Sequence, residues 1–392
     1  MSKPLLSAAD VLPVDGTAGT LVARVFRPGI GPSVCVLRGE TVVDITDKAH
    51  PTVRDLCEAP DPAAMAASAA GTAIGTVAEI VANSDARHRD ENRPWLLAPV
   101  DLQAVKACGV TFVESLLERV IEEQAHGAPE RAGAVRAELT ALIGTDLSKL
   151  VPGSDEAMRL KAALIERKAW SQYLEVGIGP DAEVVTKAQP LSAVGLGADV
   201  GVLATSSWNN PEPEIVLVVS SVGHIVGASL GNDVNLRDVE GRSALLLGKA
   251  KDNNASAAIG PFVRLFDKTF SIADARGADL DLVVEGEDGF RLDGRSSMRK
   301  ISRSPESLVA AAAGRHHQYP DGFCLFLGTM FAPVKDRGVG GSGFTHRTGD
   351  VVRIAAPALG ALVNRVGLST ECPPWTFGIA ALMRNLAGRG LL

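Results

Sequence analysis

The chain predicts an α+β fold dominated by β-structure, on three observations. From residue 173 to about 366, short apolar or alternating runs of strand length are broken by glycine turns. Between residues 112 and 170 the spacing becomes helical, with Phe112, Val113, Leu116, Leu117, Val120 and Ile121 on one face. A polar, charge-dense stretch closed by Pro94, residues 85–94, marks a boundary. Residues 1–95 therefore form a small N-terminal β/α domain, and residues 96–392 a larger, mostly-β domain with a helical insertion.

The elements follow in order. Residues 20–26, 33–37 and 41–45 read as strands separated by glycines and Pro28, and residues 62–82 as an Ala-rich helical segment. Strand character resumes over 96–110. One helix runs from 112 to near Gly127, a second covers 129–143, and a third leaves a Ser154 N-cap for about Trp170. Residues 215–220 and 225–230 form a hairpin around Ser221-Val222-Gly223-His224.

With 46% hydrophobic and 22% charged residues over 392, the chain has the composition of a soluble globular protein. A net charge of -7 without a basic run argues against nucleic acid. No apolar run approaches the ~20 residues needed to span a bilayer, and residues 1–10 lack the pattern of a signal peptide. Cys35, Cys57, Cys108, Cys324 and Cys372 are scattered, with no CxxC, as expected of reduced thiols in a cytoplasmic protein.

Chemistry concentrates in Glu212-Pro213-Glu214 and in Asp233, nineteen residues after Glu214. On a strand the two glutamates leave one face, roughly 6 to 7 Å apart. A two-residue turn at Val222-Gly223 pairs residues summing to 445 and sets Asp233 across from Glu212. Three carboxylates with no obvious cation among them repel unless a hard divalent ion lies between them. The competing reading is a solvated acidic hairpin edge, and a one-residue slip turns Asp233 to the other face. Lys249 and Lys251 occupy a stretch too polar for a core strand, where a nearby metal cluster lowers a lysine pKa; the alternative is a solvated surface group. Glu183, Val185 and Lys187 share a strand face, by default a surface one.

Other motifs read as structure. Gly195-Leu-Gly197-Ala-Asp-Val-Gly201 has the wrong spacing for a dinucleotide loop and is a turn. His316-His317 is a polar loop without companion ligands, His224 is a solvated turn residue, and no nucleophile elbow is present. Residues 338–343, rich in glycine, form either a mobile flap or a long hairpin loop.

Taken together, Glu212-Pro213-Glu214, then Gly231-Asn-Asp233-Val-Asn-Leu-Arg237-Asp238, then Lys251 ahead of Gly260-Pro261, resemble the fumarylacetoacetate hydrolase family over roughly residues 96–360. The resemblance implies a fumarylacetoacetase-like mixed β roll, with Mg²⁺ (Mn²⁺ as a substitute) held by Glu212, Glu214 and Asp233 and chelated by a 2-oxo acid. Within the family the chain is similar to the dehydratases of 2-keto-3-deoxy sugar acids, in segments such as Leu97-Ala-Pro-Val-Asp-Leu102 and Trp208-Asn-Asn-Pro-Glu-Pro-Glu214. Glu183 precedes Glu212 by 29 positions and Lys251 follows Asp233 by 18, the spacing of the catalytic pair in that branch. Ser115, Arg119, Lys187 and Thr329 fall at substrate-binding positions. The resemblance implies dehydration of 2-keto-3-deoxy-D-pentonate to 2,5-dioxopentanoate in pentose breakdown, by a cytoplasmic homodimer or homotetramer. The alternatives are an acylpyruvate-type C–C hydrolase of the same family or a non-catalytic metal-stabilised binding protein. The hydrolase branch carries a histidine after the position of Gly109, and Val110-Thr-Phe-Val-Glu-Ser here has none.

Overall fold

The computed structural model describes residues 5–126, 128, 131–135, 150–166, 170–330, 333, 335–337 and 343–392; the side chains of residues 113–115, 117 and 122 lie outside that description. Every residue of the strand Pro213–Val219 is buried. Ile215, Leu217 and Val219 face one core, while Val216 and Val218 face another. A strand covered on both sides requires an unbroken apolar run, which residues 215–219 supply.

Among the described residues this strand lies within an eleven-stranded sheet. The order is Thr72–Thr76, Thr41–Asp44, Gly31–Arg38, Leu21–Arg27, Ala257–Leu265, Ile225–Asp233, Pro213–Val219, Phe323–Phe326, Ala104–Gly109, Glu183–Ala188, with Trp95–Leu97 pairing to Leu21–Arg27. A five-stranded sheet runs Arg291–Ser297, Asp279–Glu285, Val351–Ala356, Gly360–Leu368, Asp199–Val202. The sheets are mixed: Phe323–Phe326 runs parallel to Ala104–Gly109, and Gly360–Leu368 to Asp199–Val202. One core cluster joins them, Ile215 and Leu217 of the large sheet meeting Leu282, Ile354 and Leu362 of the smaller. With the helices this is the α+β, mostly-β architecture that the sequence predicts.

The hairpin register sums to 445 from Pro213↔Asn232 to Val218↔Gly227, as expected, but by a different route. The turn holds three residues, with Ser220 N donating to His224 O, and pairing starts at Val219↔Ile225. A bulge between Val218 and Val219 absorbs the extra residue and restores the register.

Leu21↔Arg264 and Val22↔Val263 join strands of residues 1–95 to Ala257–Leu265 of the large sheet, and Val22, Val34 and Val36 share a core with Val216 and Ile259. Two expectations need correction. The Ala-rich stretch 62–82 is not one helix. The strand Thr72–Thr76 interrupts it between Pro62–Ser68 and Val77–Ala82, because it adds an edge to Thr41–Asp44 and tertiary pairing overrides alanine propensity. Tyr173, expected to open the strands, lies in the helix Gln172–Ile178 capped by Ser171.

The helical insertion is present as Val113–Gln124 and Asp155–Glu166. Leu116, Val120 and Ile121 pack with Leu164, Tyr173 and Trp208. Ser154 caps the later helix, accepting from Ala157 N at 3.2 Å. Most of the helix expected over 129–143, and residues 338–342 of the glycine-rich loop, lie outside the described residues. No helix among the described residues is long and apolar enough to cross a membrane. All five cysteines are free and buried.

Candidate active site

Register builds the site. Val216, Phe326, Ala107 and Val185 form one row across four strands. Two residues further along the same face stand Glu214, Gly328, Gly109 and Glu183. The glycines keep the floor between the two acids open. A Cβ on Gly109 would collide with the Glu183 carboxylate, and one on Gly328 with the Thr111 hydroxyl. From the other side Asp233 meets Glu212, its amide donating to Glu212 O at 3.0 Å.

The three predicted ligands do converge. Glu212, Glu214 and Asp233 are buried, and each offers an oxygen within 4.8 Å of the others. A solvated acidic edge is thereby excluded. Their surroundings differ from expectation in one respect, because cations do stand among them. Lys251 Nζ lies 2.9 Å from Asp233 Oδ2 and 3.4 Å from Glu212 Oε2, and Lys187 Nζ 2.6 Å from Asp233 Oδ1. Arg119 pairs with Glu212 and, at 3.2 Å, with Glu240. Glu214 accepts from Gly328 N at 2.7 Å and from Thr329 Oγ1 at 3.4 Å.

A small cavity brings together Arg119, Glu183, Glu212, Asp233, Glu240, Lys251 and Thr329 over Gly109. Lys187, expected in the substrate pocket, does not line it. It is fully buried, and its Nζ ties Asp233 to Lys251 O at 3.1 Å and Val234 O at 3.3 Å. Ser115 belongs to the helix Val113–Gln124, but its side chain lies outside the described residues. His224, His316 and His317 are exposed, and Gly197 sits in a turn at φ +76°.

Sequence reasoning missed Glu240, whose one signal is that it closes the short turn Arg237–Glu240, seven residues after Asp233. It also missed the work of Arg237-Asp238. Arg237 Nε donates to Asn210 Oδ1 at 2.7 Å, and Asp238 accepts from Ser206 Oγ and Ser207 N at 2.7 and 2.8 Å. Together they clamp the segment that leads into Glu212.

The charges do not balance. Among the described residues, five carboxyls (Glu183, Glu212, Glu214, Asp233, Glu240) face three cationic side chains (Arg119, Lys187, Lys251), leaving two negative charges over. Burial and the neighbouring Glu240 push Glu183 up to about 7. Burial, Asp233 and Glu212 raise Glu214 well above the carboxylate range. Protons on those two acids thus make up the deficit. Burial alone would raise Asp233, but Lys187 and Lys251 hold it low. Burial pulls Lys251 down, and Asp233, Glu212 and Glu240 outweigh it, so its ammonium is held well above the ordinary value. A hard divalent cation fits: the donors are all oxygen, and two displaced protons match its charge.

Residues 178–367 match the fumarylacetoacetate (FAA) hydrolase C-terminal family model. The match spans just under half of the chain, and the matched segment includes Glu183, Glu212, Glu214, Asp233, Glu240, Lys251 and Thr329, but not Arg119. Over 184 residues the chain is 30% identical to the 2-dehydro-3-deoxy-D-arabinonate dehydratase of Saccharolobus solfataricus, covering 47% of this chain and 58% of that protein. Over 194 residues it is 30% identical to a probable 2-keto-3-deoxyxylonate dehydratase of Haloferax volcanii, covering 50% and 63%. The chain thus spans under two thirds of the length of these relatives. Among solved structures, 2-keto-3-deoxyarabinonate dehydratase superposes with a TM-score of 0.62 at 20% identity, covering 88% of this chain and 98% of that one. The 2-keto-3-deoxy-D-arabinonate dehydratase complexed with magnesium and 2,5-dioxopentanoate gives 0.61 at 20% identity, covering 89% and 99%. The fumarylacetoacetate hydrolase of Exiguobacterium antarcticum gives 0.54 at 15%, covering 89% and 99%. At these identities the likeness to the solved structures is one of fold, the mixed β roll.

Proposed function

We propose that the chain is a divalent-metal-dependent dehydratase that converts a 2-keto-3-deoxy-pentonate to 2,5-dioxopentanoate. The observation that carries this is the meeting of Glu212 and Asp233, two members of the carboxylate triad, with Glu183 and Lys251 in one cavity. The names of the two curated relatives support the substrate class. Glu212, Glu214 and Asp233 would hold Mg²⁺ or Mn²⁺. When bound, such an ion acts as a Lewis acid on the 2-oxo acid end of the substrate. Arg119, Ser115 and Thr329 bind and orient that end. Lys187 acts through Asp233 and does not touch substrate.

Glu183, poised near neutrality, takes a proton from C3, and the Lys251 ammonium gives one to the C4 hydroxyl, which leaves as water. The C3=C4 enone so formed becomes an enol when a proton moves from C5 to C3, and the enol tautomerises to the aldehyde. Dehydration is favoured over hydrolysis by the cavity, which no histidine lines among the described residues. The test is incubation with 2-keto-3-deoxy-D-pentonate, with and without EDTA. Metal-dependent appearance of 2,5-dioxopentanoate is expected. Pyruvate plus an aldehyde would mean an aldolase instead, and cleavage of an acylpyruvate with no dehydration would select the hydrolase reading.

A further inference from the structure

A second concavity, of about 250 Å³, shares no lining residue with the carboxylate cavity. Its floor is one face of paired strands, with Arg24 opposite Leu97 and Phe26 opposite Trp95. Phe26 and Trp95 stack with ring centroids 4.5 Å apart, and Arg89 lies 4.6 Å over the Trp95 ring. Phe377, from the segment before the C-terminal helix Ile379–Gly388, forms part of the rim.

The polar group at this floor is poorly used. Arg24 is 6% exposed, yet its guanidinium makes one hydrogen bond, 3.5 Å to Val100 O. By contrast Arg303 donates to the carbonyls of Val176, Gly179, Pro180 and Asp181 at 2.7 to 3.3 Å. Asp101 contributes only its field to Arg24, because its oxygens accept from the amides of Val53, Arg54 and Leu102. Arg89 spends one N–H on Ser84 O at 3.2 Å, and its Nε is buried without a partner. The one acid in the lining among the described residues, Asp199, already lies in the field of Arg87 and Arg365. A buried guanidinium with donors to spare, set in an aromatic wall, matches a planar carboxylate on an apolar body.

We propose that this pocket binds a small apolar carboxylate, its oxygens on Arg24 and its body against Phe26 and Trp95. The site is separate from the triad, so it does not depend on the dehydratase reading.

Phenylacetate is the probe and phenylacetamide its neutral counterpart, titrated by calorimetry into the full-length chain with EDTA present. Phenylacetate should bind. Phenylacetamide, or phenylacetate with Arg24→Met, should bind about 10- to 100-fold more weakly, the loss expected when a hydrogen-bonded charge is removed. Ala86→Phe, placed on the pocket wall, should abolish binding while Mg²⁺ affinity stays unchanged. Equal affinity for acid and amide would overturn the proposal. So would displacement of phenylacetate by oxalate with Mg²⁺ in a separate titration without EDTA, which would move it to the triad. Absence of binding, with either variant changing the oligomeric state, would make the pocket a subunit contact and also overturn it.

Discussion

Around Asp233, among the described residues, five carboxyls meet three cationic side chains, and most of these groups line a cavity. Around Asp350, two acids meet two arginines, so the charges balance. Arg337 bridges Asp350 at 2.5 Å and Asp288 at 2.9 Å, Arg347 reaches Asp288 at 2.7 Å, and His346 Nδ1 lies 3.2 Å from Asp350. The acids respond in opposite ways. Asp350 is held low, with His346 and Arg337 outweighing its burial, whereas Glu183 and Glu214 are raised. A balanced cluster needs no added proton or cation to neutralise it. A cluster with surplus buried acid is complete only with protons or a cation, and this imbalance marks the site more clearly than acidity does.

The largest expected effect separates the two clusters outright. Asp233→Asn should abolish Mg²⁺ binding in calorimetry and, with it, metal-dependent turnover. It should also cost stability, since it leaves the fully buried Lys187 without its carboxylate. Breaking a buried pair costs about 3–5 kcal/mol, visible as a fall in the denaturant midpoint. The sequence alone suggests an unharmed fold for this variant; Lys187 is the reason to expect otherwise. An Asp233→Asn protein of native stability that still binds Mg²⁺ tightly would remove the assignment.

Next come Lys251→Met and Glu183→Gln, each lowering kcat by roughly 10²- to 10⁴-fold, the usual range for an acid or base. Pyruvate should still bind with Mg²⁺, because neither residue belongs to the triad. Deuterium exchange at C3 of the substrate then divides the roles. Glu183→Gln should lose exchange, and Lys251→Met should exchange without eliminating. The opposite pattern would reverse the assignment.

A pH series sharpens the contrast without mutation. With EDTA present, the raised Glu183 keeps a proton that the unfolded chain gives up near its ordinary value of 4.5. The stability this contributes is full below that value and is lost as pH rises through about 7. Melting temperature should therefore fall between about pH 5 and 7 without metal and level off above, and saturating Mg²⁺ should flatten the fall. Affinity for Mg²⁺ should rise over the same window, since binding releases the protons. Asp350, held low, loses its contribution only in acid and leaves this window untouched. A metal-free protein with no such slope would contradict the surplus-acid account.

The smallest effect belongs to the balanced cluster. Arg347→Ala removes a half-exposed partner of Asp288 and should change stability by less than about 1 kcal/mol, with Mg²⁺ affinity unaltered. Any weakening of metal binding would show that the two clusters are energetically coupled and break the contrast between them.

Much of the site is legible in the sequence. Period-2 alternation is local, so Glu212 and Glu214 on one face follow from the tripeptide, whereas the register that brings Asp233 across holds only because a bulge offsets the three-residue turn. The family resemblance supplies Glu183 and Lys251, which no local rule connects to the triad. Other parts are hidden because their causes are distant in sequence. Leu21 pairs with Arg264 across the expected domain boundary, and residues 72–76 become a strand only because Thr41–Asp44 offers an edge. Lys187 shows the same limit, since its strand face is readable but its burial beneath Asp233 is not. The sequence by itself determined which acids share a face, because side-chain direction is set residue by residue. Only the tertiary structure decided how many cations reach those acids and which of them keep a proton, because Coulomb energy and desolvation depend on distances through space rather than along the chain.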